Sequence, residues 1–147
     1  MSKLINTILL ALLFMGCAEY LPMSGGALDG KVSPLPISLD SIIQDKIIQL
    51  ETGASEAYSV NLWVVEVEGY LHVFAGDNKA KWVENMEQSS NVRLRSGDEV
   101  FELDATRVND PEVFELFAKA WEAKYGNRPR NESVEETYLY RLRTRDS

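Results

Sequence analysis

Cysteine, histidine and positive charge are what this sequence has least of. It holds 1 cysteine, Cys17, and 1 histidine, His72, in 147 residues. A lone cysteine closes no internal disulfide, and a His- or Cys-rich metal site has no residues to build it. A Ser-His-Asp triad would rest wholly on His72. Against 23 Asp and Glu stand 15 Lys and Arg, a formal net charge of −8. That balance argues against nucleic acid as a partner, because phosphate backbones are gripped by a basic face that replaces their counterions. No apolar run reaches the roughly 20 residues of a membrane-spanning helix, and no repeat or low-complexity tract is present. The remainder, 45% hydrophobic and 26% charged, suits one globular domain with a core of its own.

The chain opens with Met1-Ser2-Lys3, a short basic start, and Ile8 to Met15 is unbroken apolar sequence. That length suits a secretory signal rather than an anchor. Phe14-Met15-Gly16-Cys17 resembles the lipobox of bacterial lipoprotein precursors at its Gly and Cys. The resemblance implies a signal peptide over 1–16, cleavage before Cys17, and acylation of that cysteine. It places the protein in the cell envelope, lipid-anchored outside the cytoplasm, and Ala18 at the next position implies the outer membrane if the host is Gram-negative. Without the resemblance, the segment also suits a secreted chain with a buried thiol or a cytosolic chain with an apolar first helix. Residues 17–37 then read as lipidated cysteine and flexible tether, with Pro22, Gly25, Gly26, Gly30, Pro34 and Pro36 as breakers. The folded domain is expected over 38–147.

Within the domain, Ile43, Ile47 and Leu50 fall on one helical face, so Ser38 to Leu50 reads as a helix, with capping-box spacing at Ser41 and Gln44. Ser59 to Glu68 is β-forming and apolar on both faces. Gly69 turns it into Tyr70 to Ala75, an antiparallel hairpin. Lys79 to Gln88 predicts a short helix capped by Asp77 or Asn78, with Trp82, Val83 and Met86 as its apolar stripe. Asn91 to Arg95 and Glu99 to Val108 form a second hairpin. Asp110-Pro111-Glu112 starts a helix, Val113, Leu116, Phe117, Ala120 and Trp121 give its core face, and Gly126 stops it. Thr137 to Arg143 is a final strand. Hairpins with interspersed helices indicate α+β, and five strands suggest a small antiparallel barrel.

That order of elements resembles the split β-barrel with flanking helices of pyridoxamine-phosphate-oxidase-like flavin-binding proteins. The nearer likenesses are the deazaflavin-dependent nitroreductase-like branch and a related uncharacterised family. Leu62-Trp63-Val64-Val65 with Tyr70-Leu71-His72-Val73 is similar to the first hairpin of that group, and Trp82-Val83-Glu84-Asn85-Met86 to its Trp-x-x-Asn-Leu helix. Asn91-Val92-Arg93-Leu94 and Phe101 to Val108 resemble its second hairpin. Ala120-Trp121-Glu122-Ala123-Lys124-Tyr125-Gly126 is similar to the Ala-Tyr-Arg-Ala-Lys-Tyr-Gly pattern of the uncharacterised branch. The resemblance implies a homodimer with small-molecule clefts near the subunit interface, FMN or deazaflavin as cofactor classes, and oxidoreductase activity where a cofactor is held. It places the cofactor phosphate against Phe74 to Trp82. Many split-barrel proteins hold no flavin, so a non-catalytic binding or structural lipoprotein is the competing reading.

Lysines at a helix start oppose the macrodipole unless an anion binds there. Gly76, Asn78, Lys79, Lys81 and Trp82 are therefore the candidate cofactor-binding residues, with two solvated lysines near Glu84 and Glu87 as the alternative. His72 is the one available imidazole base, and a hydrogen-bonded structural histidine is the commoner case. Arg93 and Arg95 could grip a phosphate or pair with Glu99, Glu102 and Asp104 next door. Trp63, Trp82 and Trp121 could stack on a flavin or fill the core. Glu112, Glu115 and Glu122 read as a solvated helix face. No residue stands out as catalytic.

Overall fold

The computed structural model of the chain describes residues 25–146. The signal segment, Cys17 and the tether up to residue 24 lie outside the described residues. The elements run β1 (Lys31–Val32), α1 (Asp40–Ile43), β2 (Ile48–Thr52), β3 (Tyr58–Leu62), β4 (Val65–Val67), β5 (Tyr70–Ala75), α2 (Lys81–Gln88), β6 (Asn91–Ser96), β7 (Glu99–Arg107), α3 (Pro111–Tyr125) and β8 (Tyr138–Thr144). One sheet has the order β3-β2-β6-β7-β8-β5-β4, and β1 adds to β7 in parallel. Its two end strands, β3 and β4, are consecutive in the chain, so the antiparallel sheet curls into a barrel.

Sequence patterning predicts five strands where the described residues form eight. Only one turn of the expected first helix forms, with no side-chain cap at Leu39. Its second half is β2, with Ile48, Leu50 and Thr52 buried and Gln49 and Glu51 half-buried between them. A stretch this short fits both periods, and ladders to β3 on one side and β6 on the other decide it. The long strand expected over Ser59 to Glu68 breaks at Trp63-Val64. Trp63 leaves the ladder to stack on Tyr125 with ring centroids 4.1 Å apart. The Val64 N–H donates to the Tyr125 hydroxyl at 3.0 Å, and Lys124 Nζ donates to the Val64 carbonyl at 2.7 Å. The same lysine and tyrosine reach the carbonyls of Asp45 and Lys46. The Lys-Tyr-Gly end of the last helix is therefore a clamp on two distant backbone segments.

The third strand comes from residues expected in the tether. Gly25 pairs with Ser59, the Leu28 N–H donates to Glu51 at 2.6 Å, and Lys31–Val32 lies along Glu99-Val100. From Gly25 to Ser33 the chain is thus laid on the sheet, because Glu51, Arg93 and Arg95 supply partners for its backbone.

The two hairpins and the last helix match their sequence signals closely. Glu68 and Gly69 take φ of 53° and 80°, as a two-residue turn between twisted strands requires. Asp110 caps α3 through the Glu112 N–H at 2.8 Å, and Gly126 ends it at φ 88°. The buried face of α3 is rotated from the expected one: Phe114, Phe117 and Ala118 are buried, while Leu116 is exposed.

Two cores result. The barrel interior gathers residues such as Leu50, Leu71, Val73, Val83, Leu94, Leu103 and Leu142. The opposite face of β4, β5 and β8 packs on α3 through Val65, Val67, Phe114, Phe117 and Leu139.

Candidate functional site

The five residues proposed for a cofactor occupy the link from β5 into α2, and the structure divides them. Gly76, Asn78 and Lys79 are exposed. Lys79 bridges to Glu87 at 2.6 Å, which raises the pKa of its ammonium. Trp82 is buried in the barrel core, its ring 6.5 Å from that of Tyr140. Lys81, the first residue of α2, lines a cavity of about 290 Å³ with Gly53, Glu56, Tyr58 and Asn85.

Neither Asp77 nor Asn78 caps α2. The capping position is Ala80, in extended conformation and without a side-chain bond. A helix of eight residues therefore presents its first amides uncapped beside Lys81. The facing wall of the cavity is the turn after β2. Gly53 sits at φ 98°, and a Cβ there would lie 2.2 Å from the Glu56 carbonyl oxygen, so the turn accepts only glycine. Asn85 ties helix to wall by donating to Thr52 Oγ1 at 3.0 Å. Gly53, Glu56 and Tyr58 were not legible as site residues, because they precede α2 by some twenty-five positions and carry no local motif. The uncapped amides and the Lys81 ammonium suit a phosphate group. In this arrangement Lys79 pairs with Glu87 and Trp82 lies in the core.

His72 is fully buried, and its Nδ1–H donates to the Tyr70 carbonyl at 2.9 Å. Burial pushes its pKa down to about 4; the Tyr70 bond opposes the shift and the Arg141 charge adds to it. It is a neutral structural histidine near pH 7. Arg93 pairs with an acid, but with Glu51 of β2 at 3.2 Å rather than with β7, and it also donates to the Leu28 carbonyl. Arg95 donates to the Asp29 carbonyl. Trp121 packs within the aromatic cluster of α3 and Phe74, and Trp63 is 39% exposed above it. Glu115 and Glu122 face Arg128 at 2.8 and 4.0 Å, and Glu112 is exposed. Among the described residues no three of His, Cys, Asp and Glu gather as metal ligands.

No protein-family model matches the chain, and no curated protein does. Solved structures do match. A NimC/NimA family protein from Clostridium acetobutylicum aligns with TM-score 0.54 at 17% identity, covering 71% of this chain and 81% of that one. An FAD-binding protein from Mesorhizobium loti gives TM-score 0.53 at 16% identity over 73% and 86%. The haem storage protein HutZ from Vibrio cholerae gives 0.53 at 16% over 74% and 89%. These likenesses, with a curled sheet whose end strands β3 and β4 are consecutive in the chain, establish the fold as an α+β split barrel.

Proposed function

We propose that the protein is a membrane-tethered split-barrel lipoprotein that binds a phosphate-bearing cofactor of the flavin class at the mouth beside α2. The observation that carries this reading is the open cavity between Lys81, the uncapped start of α2 and the Gly53 turn. Relatives in fold described as FAD-binding and haem-storing support a planar cofactor. Lys81 and the helix amides would hold the phosphate, and a bound flavin would supply electron-transfer chemistry. The two protomers of a homodimer would complete the cleft.

Anchoring rests on Cys17. The eight residues from Cys17 to Gly25 span at most about 28 Å, and Gly25 is fixed to Ser59, so the domain would sit close against the membrane. Cys17→Ser should release the protein or leave it unprocessed.

A non-catalytic binding role is the second reading. Its support is the engagement of Lys79 with Glu87 and the burial of Trp82. A melting screen separates the two, using FMN, riboflavin, deazaflavin, haem and inorganic phosphate on wild type and on Lys81→Glu. A ligand at a hundred times its Kd stabilises by about 2.7 kcal/mol, a shift of about 5–15 °C for a domain of this size. A flavin-dependent shift lost in Lys81→Glu supports the proposal. No shift with any cofactor favours the non-catalytic role. Light scattering of the acyl-free protein should give a dimer at tens of micromolar, and a monomer alone would contradict the shared cleft.

A further inference from the structure

A second cleft, of about 250 Å³, opens on the α3 side of the sheet where β7 leaves for α3. Cross-strand register sets His72, Arg141 and Thr106 in one row and Arg143 and Asp104 in the next. Directly paired residues project from the same face, so Arg141, Arg143 and Thr106 converge on this cleft, which they line with Asn109, Asp110 and Val113.

Arg141 is half-buried and Arg143 exposed, and among the described residues neither donates to a protein acceptor, whereas Arg93, Arg95 and Arg107 each do. Among the described residues neither Arg141 nor Arg143 has a carboxylate within 4.0 Å. Arg141 lies against the Tyr70 ring at 5.1 Å, and its buried Nε–H, like those of Arg93 and Arg107, has no acceptor among the described residues. Asp110, the acid at the rim, uses Oδ1 to cap α3. Arg107 lines the same cleft but turns its guanidinium onto Tyr138 at 4.4 Å and donates to the Thr137 carbonyl. A half-buried guanidinium with an unmet donor is unfavourable unless something supplies the acceptor. The nearest acids in the fold, Asp104 opposite Arg143 in register and Asp110 at the rim, come within 4.0 Å of neither guanidinium.

We propose that this cleft binds a small phosphate monoester. The planar forks of Arg141 and Arg143 match two phosphate oxygens each, Thr106 Oγ1 is a further donor, and the Val113 wall takes the apolar substituent. The site lies across the sheet from the α2 mouth, so each can fail without the other.

The test is thermal unfolding of the full chain in detergent with phenyl phosphate, inorganic phosphate or acetate against chloride, at constant ionic strength. Phenyl phosphate at a hundred times its Kd should raise the wild-type Tm by about 5–15 °C. The shift should vanish in Arg141→Gln with Arg143→Gln, shrink in Arg141→Lys, which lacks the fork, and persist in Lys81→Glu. If the double variant folds poorly, Arg143→Gln alone, at an exposed position, must still weaken binding at least tenfold. A shift that survives the double variant, one lost only in Lys81→Glu, an equal shift with acetate, or none above chloride would overturn the assignment. Loss of the dimer in the double variant with the phosphate shift intact would overturn it too, assigning the arginines to a partner's acids.

Discussion

Two strands of this barrel carry arginines at alternate positions, and the fold treats them in opposite ways. On β6, Arg93 meets Glu51 and the Leu28 carbonyl, and Arg95 meets the Asp29 carbonyl. On β8, Arg141 and Arg143 face a cleft with no carboxylate in reach among the described residues. The patterns Arg-Leu-Arg are identical; the neighbours are not. Strand β6 runs beside β2, whose Glu51 stands opposite Arg93. Strand β8 runs between β5, which offers neutral His72, and β7, which sets Thr106 opposite Arg141 and Asp104 opposite Arg143, with neither guanidinium within 4.0 Å of a carboxylate among the described residues. Register sets an acid opposite an arginine on both strands, and the contact made, Arg93 with Glu51 but not Arg143 with Asp104, separates an arginine that fastens the fold from one that waits for a ligand.

The largest effect is expected around Arg141. His72 binds no proton in the folded state until about pH 4, against 6.5 for an unperturbed imidazole. As pH falls through that window the unfolded chain gains a proton that the folded chain refuses, so stability present above pH 6.5 is lost, by about 3 kcal/mol in all. Urea unfolding from pH 7 to 4 should show this slope in wild type and a shallower one in His72→Leu. Next is Glu51→Ala, which strips both the Arg93 charge and the Leu28 N–H of their acceptor. It should cost about 2–3 kcal/mol and speed hydrogen exchange at Leu28. The smallest effect belongs to Asp110→Asn. Asparagine caps a helix as well as aspartate does, so stability should move by less than about 1 kcal/mol. Phosphate should then bind roughly two- to fivefold more tightly, since the acid lining the arginine cleft has lost its charge.

Elements with local signals were legible in the sequence. Asp110-Pro111 and Gly126 bound α3, and Gly69 placed the first hairpin, because caps and turns are decided by residues within a few positions. What distant partners decide was not legible. Strand β2 carries an apolar pattern short enough to fit a helix, and β3 and β6 settle it. The break at Trp63-Val64 is held by Lys124 and Tyr125, some sixty positions away. Gly25 to Ser33, rich in breakers, is pinned by side chains of β2 and β6. At the α2 mouth, a helix start two residues later than expected separates Lys81, which lines the cavity, from Lys79, which pairs with Glu87. Nothing in the sequence sets the β8 arginines apart, because an unpaired charge is visible only once its neighbours are known.

One measurement tests the central contrast directly: urea unfolding in phosphate-free buffer of Arg93→Gln with Arg95→Gln beside Arg141→Gln with Arg143→Gln. The β6 pair should lose on the order of 2–4 kcal/mol, because it holds Glu51 and the Leu28-Asp29 backbone. The β8 pair should change by less than about 1 kcal/mol, because only the Tyr70 contact is given up, the unmet Nε–H being common to Arg93 and Arg141. Equal losses in the two pairs would contradict the account, showing that the β8 arginines fasten the fold as the β6 arginines do.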